Sequence, residues 1–162
     1  MKTFLKFAGL ISAVLALVAF ILLLASNALI YTYGNVSVSV PGTDVLFGHP
    51  TNIYDYKPAA TALIAWILVI IAFIILVLNF VLPLLKVKAL EKFSGILNLV
   101  AVGALVVAGI LLFFTQGVYS AANDDGFKDY KLTFGYVFAA ILLLVAGIIS
   151  FLPTAFALTK KK

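Results

Sequence analysis

Residues 59–116 read AATALIAWILVIIAFIILVLNFVLPLLKVKALEKFSGILNLVAVGALVVAGILLFFTQ. Two long apolar runs flank a short segment carrying Lys86, Lys88 and Lys92. Each run exceeds the roughly 20 residues a helix needs to cross a hydrocarbon core. The reading is a pair of membrane spans, at about 59–82 and 93–116, joined by a basic cytoplasmic loop over 83–92. Pro58 sits at the first turn of the earlier span, where a missing N–H costs nothing, and Pro83 ends it.

The same alternation continues outward. Lys2 and Lys6 precede an apolar run over about 7–30, and Lys160, Lys161 and Lys162 follow another over about 134–158. The first run is longer than the ~15-residue apolar region of a secretory leader, so it reads as a true span. Pro153 falls in the last turns of the fourth span and should kink or fray it. Segments assigned to the cytoplasm hold eight lysines against Glu91. The loops 31–58 and 117–133 hold Lys57, Lys128 and Lys131 against Asp44, Asp55, Asp124, Asp125 and Asp129. This positive-inside bias places both termini in the cytoplasm. The expectation is an all-α, single-domain, multi-pass protein of the plasma membrane. All seven tyrosines, including Tyr119 and Tyr136, fall at the opposite ends of the spans or in the opposite loops.

Composition agrees. The 162-residue chain is 65% hydrophobic and has a mean hydropathy of +1.24, far above soluble domains. The net charge of +5 does not indicate nucleic acid, because no basic patch carries interleaved stacking aromatics. The chain has no cysteine, which excludes disulfides, thiol catalysis and Cys-based metal sites. All eleven cations are lysines, so no bidentate guanidinium clamp exists. Such usage leans toward a bacterial, AT-rich genome.

The two long loops carry strand signals. Val36-Ser37-Val38-Ser39-Val40 alternates, which predicts a half-buried strand near 35–40. Pro41-Gly42 is a turn signal, and Thr43 to Phe47 reads as a returning strand near 43–47. Tyr130, Leu132 and Phe134 alternate in the second loop and predict a strand near 127–133. Together these make a small extracytoplasmic sheet resting on the bundle. Tyr31, Tyr33, Tyr54, Tyr56 and Tyr130 are its candidate interaction surface.

Helices in lipid approach one another through small residues and interhelical hydrogen bonds. Ala8, Ser12 and Ala16 repeat at four-residue spacing in the first span; Gly103, Ala104 and Ala108 recur in the third, and Gly147 in the fourth. These are the expected packing positions, and spans one and three are candidates for docking a partner subunit. Asn79 and Asn98 flank the inner loop at similar depth and are expected to bond across the hairpin, or to line a polar path. Trp66 is read as a packing residue.

Catalytic constellations fail on inventory. His49 is the only histidine, and its Gly-His-Pro context reads as a surface turn. No nucleophile motif or phosphate-cradling loop is present. Asn123-Asp124-Asp125-Gly126 puts Ala121 and Leu132 at the outer ligand positions of a calcium loop, so a turn is the reading. Asn35-Val36-Ser37 has the form of a glycosylation sequon. No Asp, Glu, Lys, Arg or His lies within the four runs, whereas proton relays and ion pathways require such groups. No enzyme, cofactor or metal is expected.

The layout resembles the claudin-like four-span group: four spans, termini inside, a longer first loop, and both loops able to form one outer sheet. The resemblance covers the whole chain and is topological. The group's Trp-Gly-Leu-Trp-Cys-Cys signature has no counterpart between Tyr31 and Lys57, and no functional residue is carried over. It implies lateral assembly, adhesion or accessory association. The expected function is a non-catalytic scaffold or accessory subunit in contact with lipid and with another membrane protein or itself. The alternative is a small oligomeric transporter or pore subunit for a neutral or lipidic substrate.

Overall fold

A computed structural model describes residues 2–50, 55–84, 94–123 and 129–159. Four long helices dominate: α1 Lys2–Ala25, α3 Ala60–Leu84, α4 Ser94–Asn123 and α5 Phe134–Thr159. Each contains a stretch long and apolar enough to cross a membrane: Phe7–Ala25, Ala60–Leu82, Ser94–Asn123 and Phe134–Phe156. The main helix contacts are α1–α3, α3–α4, α4–α5 and α5–α1, a four-cornered bundle with a closed ring of neighbours.

Small residues make those contacts. Ala8, Ser12 and Ala16 of α1 are fully buried. Ser12 Oγ donates to the Ala146 carbonyl of α5 at 2.8 Å, a bond possible only because Ala146 keeps the two helices close. In α3 the buried positions Ala62, Ala65, Val69, Ala72 and Leu76 recur every three or four residues, the spacing of one helical face. On α4, Ala101, Ala104 and Ala108 are buried. Gly147 of α5 accepts Val106 so closely that an added Cβ would stand 2.9 Å from its Cγ2.

The first apolar run is not helical throughout. The helix stops at Ala25, and Asn27–Tyr33 forms strand β1. Ser26 turns its hydroxyl back to the Leu22 carbonyl at 2.6 Å, and beyond it stand β-branched and aromatic residues that suit a strand. β1 is the middle of a three-stranded antiparallel sheet of order β2-β1-β5, with β2 Val36–Pro41 and β5 Asp129–Leu132. Gly34 carries φ +60° in the two-residue hairpin between Tyr33 and Val36, a conformation that tight hairpins demand and side chains resist.

The returning strand expected near 43–47 is instead a short helix, α2 Gly42–Phe47. Its Val45 and Leu46 are fully buried, and the Val45 carbonyl accepts from Ala59 N–H at 2.8 Å. β2 therefore pairs with β1, whose first four residues, Asn27 to Ile30, fall within the apolar run read as the first span. A second, two-residue ladder joins β3 His49–Pro50 to β4 Asp55–Tyr56. The second loop is shorter than 117–133, because α4 continues two turns past Gln116 to Asn123.

Candidate functional site

The end of the bundle that bears the sheet is built on a rigid base. Gly42 N–H donates to the Ser26 carbonyl at 2.9 Å. A Cβ at Gly42 would overlap the Leu23 carbonyl oxygen and meet Ser26 O at 3.0 Å. Tyr136 Oη, from the first turn of α5, donates to the Gly42 and Leu23 carbonyls at 3.3 and 3.4 Å. Thr133 ties β5 to β1: its N–H donates to Ala28 O at 3.0 Å, and its hydroxyl donates to Asn27 O.

Asn123, expected in a turn, is the last residue of α4 and clamps the first loop. Its Nδ2 donates to Lys57 O at 2.9 Å and to Tyr119 O at 3.1 Å, and its Oδ1 accepts from Lys57 N–H at 2.6 Å. A carboxamide matches the backbone's own donor and acceptor, so one side chain satisfies both groups of Lys57. No sequence pattern marks this pairing across 66 positions.

The expected tyrosine surface divides. Tyr130 is only 2% exposed and belongs to the core, a correction to its surface assignment. Its ring lies 5.2 Å from Tyr31 and 5.3 Å edge-on from Tyr119, the separations of favourable aromatic pairs. Tyr31 and Tyr56 are half-buried and, with Tyr119, Asp44 and His49, line a cavity of about 140 Å³. His49 Nδ1 stands 3.9 Å from Asp44 Oδ2. Tyr33 ends β1 at the hairpin; Tyr54, Asp124 and Asp125 lie outside the described residues.

β2 is an open edge. It pairs with β1 on one side and with no other described strand. Of its alternating valines only Val40 is buried; Val36 and Val38 are 64% and 36% exposed. Gly103, expected at a packing face, lies on the outward face of α4 with nothing within 4 Å of an added Cβ.

At the opposite end, Asn79 and Asn98 line one cavity but do not bond to each other. Asn98 serves the α4–α5 contact instead: it donates to Ser150 O at 2.8 Å and Thr154 Oγ1 at 3.2 Å, and accepts from Ser150 Oγ at 2.8 Å. Trp66 is half-buried and packs between Phe20 and Phe47, at 5.7 and 5.4 Å. Among the described residues no three His, Cys, Asp or Glu side chains gather.

Compared with known proteins, the chain matches no family model and no curated protein.

Proposed function

We propose that this chain is a non-catalytic, multi-pass protein of the plasma membrane, with cytoplasmic termini. It acts as a scaffold or accessory subunit whose extracytoplasmic sheet docks another membrane protein or a second copy. The observation that carries the reading is the open edge of β2. Natural sheets blunt their edges with lysines, prolines or bulges. The Val36–Val40 run carries no lysine or proline, Pro41 and a register irregularity with β1 coming only at the end of the strand, and it exposes Val36 and Val38. A partner strand would complete the ladder and cover the valines, giving affinity from main-chain bonds and specificity from alternate side chains. The open Gly103 face of α4 supports close approach of a helix in the same complex. The claudin-like layout, with a sheet built from both loops, supports lateral assembly.

The test is photo-crosslinking in native membranes with a reactive group at Ser37, which is exposed. A discrete adduct is expected, and Val38→Lys should abolish it while leaving the bundle folded. Recovery of monomer alone from the unmodified chain would sink the proposal.

The second reading, an oligomeric transporter or pore subunit for a neutral or lipidic substrate, is favoured by the cavity beside Asn79 and Asn98. Leu76, Leu105, Leu112 and Leu143 are almost wholly buried, so passage would run between copies rather than through one bundle. Reconstituted vesicles that show no movement of a fluorescent lipid or of small neutral solutes would remove this reading.

A further inference from the structure

Beside the sheet, tyrosines from three different elements border one cavity of about 140 Å³: Tyr31 of β1, Tyr56 of β4 and Tyr119 of α4. The register of the sheet brings them together. Val38, Tyr31 and Tyr130 stand opposite one another on neighbouring strands, so their side chains share one face. Tyr31 lies 5.2 Å from Tyr130, and Tyr119 meets Tyr130 edge-on at 5.3 Å. Tyr119 and Tyr130 are almost wholly buried, and close packing of that kind holds this wall of the cavity rigid.

Another wall carries charge. Asp44 of α2 and His49 of β3 line the same cavity. The Asp44 side chain is only 26% exposed, and among the described residues its one ion-pair partner is His49, at 3.9 Å. That distance is too long for a hydrogen bond, and an imidazole is a cation only when protonated. The cavity therefore joins a partly desolvated carboxylate to three aromatic rings. Both favour a positive guest, the carboxylate by its charge and the rings by the negative potential over their faces.

The rest of the lining selects the kind of cation. A metal ion needs several oxygen or nitrogen ligands, and among the described residues no three His, Cys, Asp or Glu side chains gather. A primary ammonium brings three N–H donors that must be satisfied, whereas Val38, Val40 and Pro41 offer this cavity hydrocarbon side chains. A quaternary ammonium has no N–H, and its methyl groups suit hydrocarbon and ring faces alike. We propose that this cavity binds the trimethylammonium group of a choline-type ligand, with the rings of Tyr31, Tyr56 and Tyr119 against the methyl groups and Asp44 as counter-ion. The tyrosine hydroxyls take no part. Binding here needs neither a partner strand at β2 nor a given orientation in the membrane.

The experiment titrates the full chain with choline by calorimetry in maltoside micelles, which carry no ammonium group. Saturable binding of one choline is expected. Dimethylbutanol, the neutral isostere with carbon in place of nitrogen, should bind about tenfold more weakly. Asp44→Asn keeps the main-chain carbonyl that accepts from Gly48 N–H. It should hold its thermal midpoint and weaken choline about tenfold. Tyr56→Leu should weaken choline about tenfold, whereas Tyr56→Phe, which keeps the ring face, should stay within about threefold of the unmodified chain. Absence of saturable binding, equal binding of the neutral isostere, or unchanged affinity in Asp44→Asn would each overturn the site. The same ammonium group occurs on soluble choline compounds and on phosphatidylcholine. Displacement of choline by a short-chain phosphatidylcholine would assign the site to the lipid headgroup, and failure to displace it would assign the site to a soluble ligand.

Discussion

Single residues decide how the sheet meets the bundle. Gly42 stands against the carbonyl oxygens of Leu23 and Ser26, where the backbone cannot yield as a flexible side chain could. Gly42→Ala is expected to destabilise the chain by about 1–3 kcal/mol, read as a lowered thermal midpoint in detergent. Asn123 is the second fixed point. Asn123→Leu keeps the volume but leaves the Lys57 N–H and carbonyl without their partner. The expected cost is about 1–3 kcal/mol, with faster proteolysis of the first loop as the local signature. Neither role was legible in the sequence. Gly42 read as a turn residue after Pro41, and Asn123 as part of an Asn-Asp-Asp-Gly turn. Both act through contacts with residues distant in the chain, which no local pattern encodes.

Among the elements, β2 makes the sharpest prediction. Val38 shares a strand face with Val40 and lines the cavity beside Tyr31, yet is 36% exposed, so Val38→Lys, with its ammonium reaching solvent, should cost no more than about 1 kcal/mol while removing any strand-mediated adduct. A larger loss of stability would show that the Val38 side of β2 is core rather than edge. The alternation of Val36 to Val40 located this strand correctly, but its partner was misassigned. Periodicity reports which residues share a face and not which strand lies alongside. The segment Thr43 to Phe47 shows the same limit: five residues with buried Val45 and Leu46 suit a strand or a single helical turn equally well. The helix was chosen because Gly42 and Ala59 bond to the neighbouring backbone there. The apolar run over 7–30 also exceeds the helix, since Ala28 to Ile30 are as apolar as a span but lie in β1, which pairs with β2 and β5.

At the scale of the whole molecule the bundle is held by small residues rather than by an amphipathic division. Ala16 is fully buried on α1, and Ala16→Leu should wedge the bundle open at about 1–3 kcal/mol, measured by denaturant titration in micelles. The inferred orientation is testable because the chain has no cysteine of its own. An impermeant maleimide should label Ser37→Cys in intact cells and Lys88→Cys only after permeabilisation. The reverse pattern would invert the topology and move the sheet to the cytoplasm.

The sequence by itself determined the four long helices, their approximate bounds and the presence of strand-forming loops, because span length and hydropathy are local properties of the chain. Hydropathy did not determine which face of each helix turns inward, because every face is apolar. The spacing of small residues marked that face on α1, where Ala8, Ser12 and Ala16 are buried, but was ambiguous on α4, where Ala104 and Ala108 are buried while neighbouring Gly103 is open. The tertiary structure alone decided that Asn98 bonds across to α5 and that Asn79, beside a cavity, finds no partner among the described residues. It also decided that Tyr130 is core and that β2 stands at the end of the sheet, with no second partner among the described strands. These outcomes depend on distances between segments far apart in the chain, and those distances exist only once the bundle has closed.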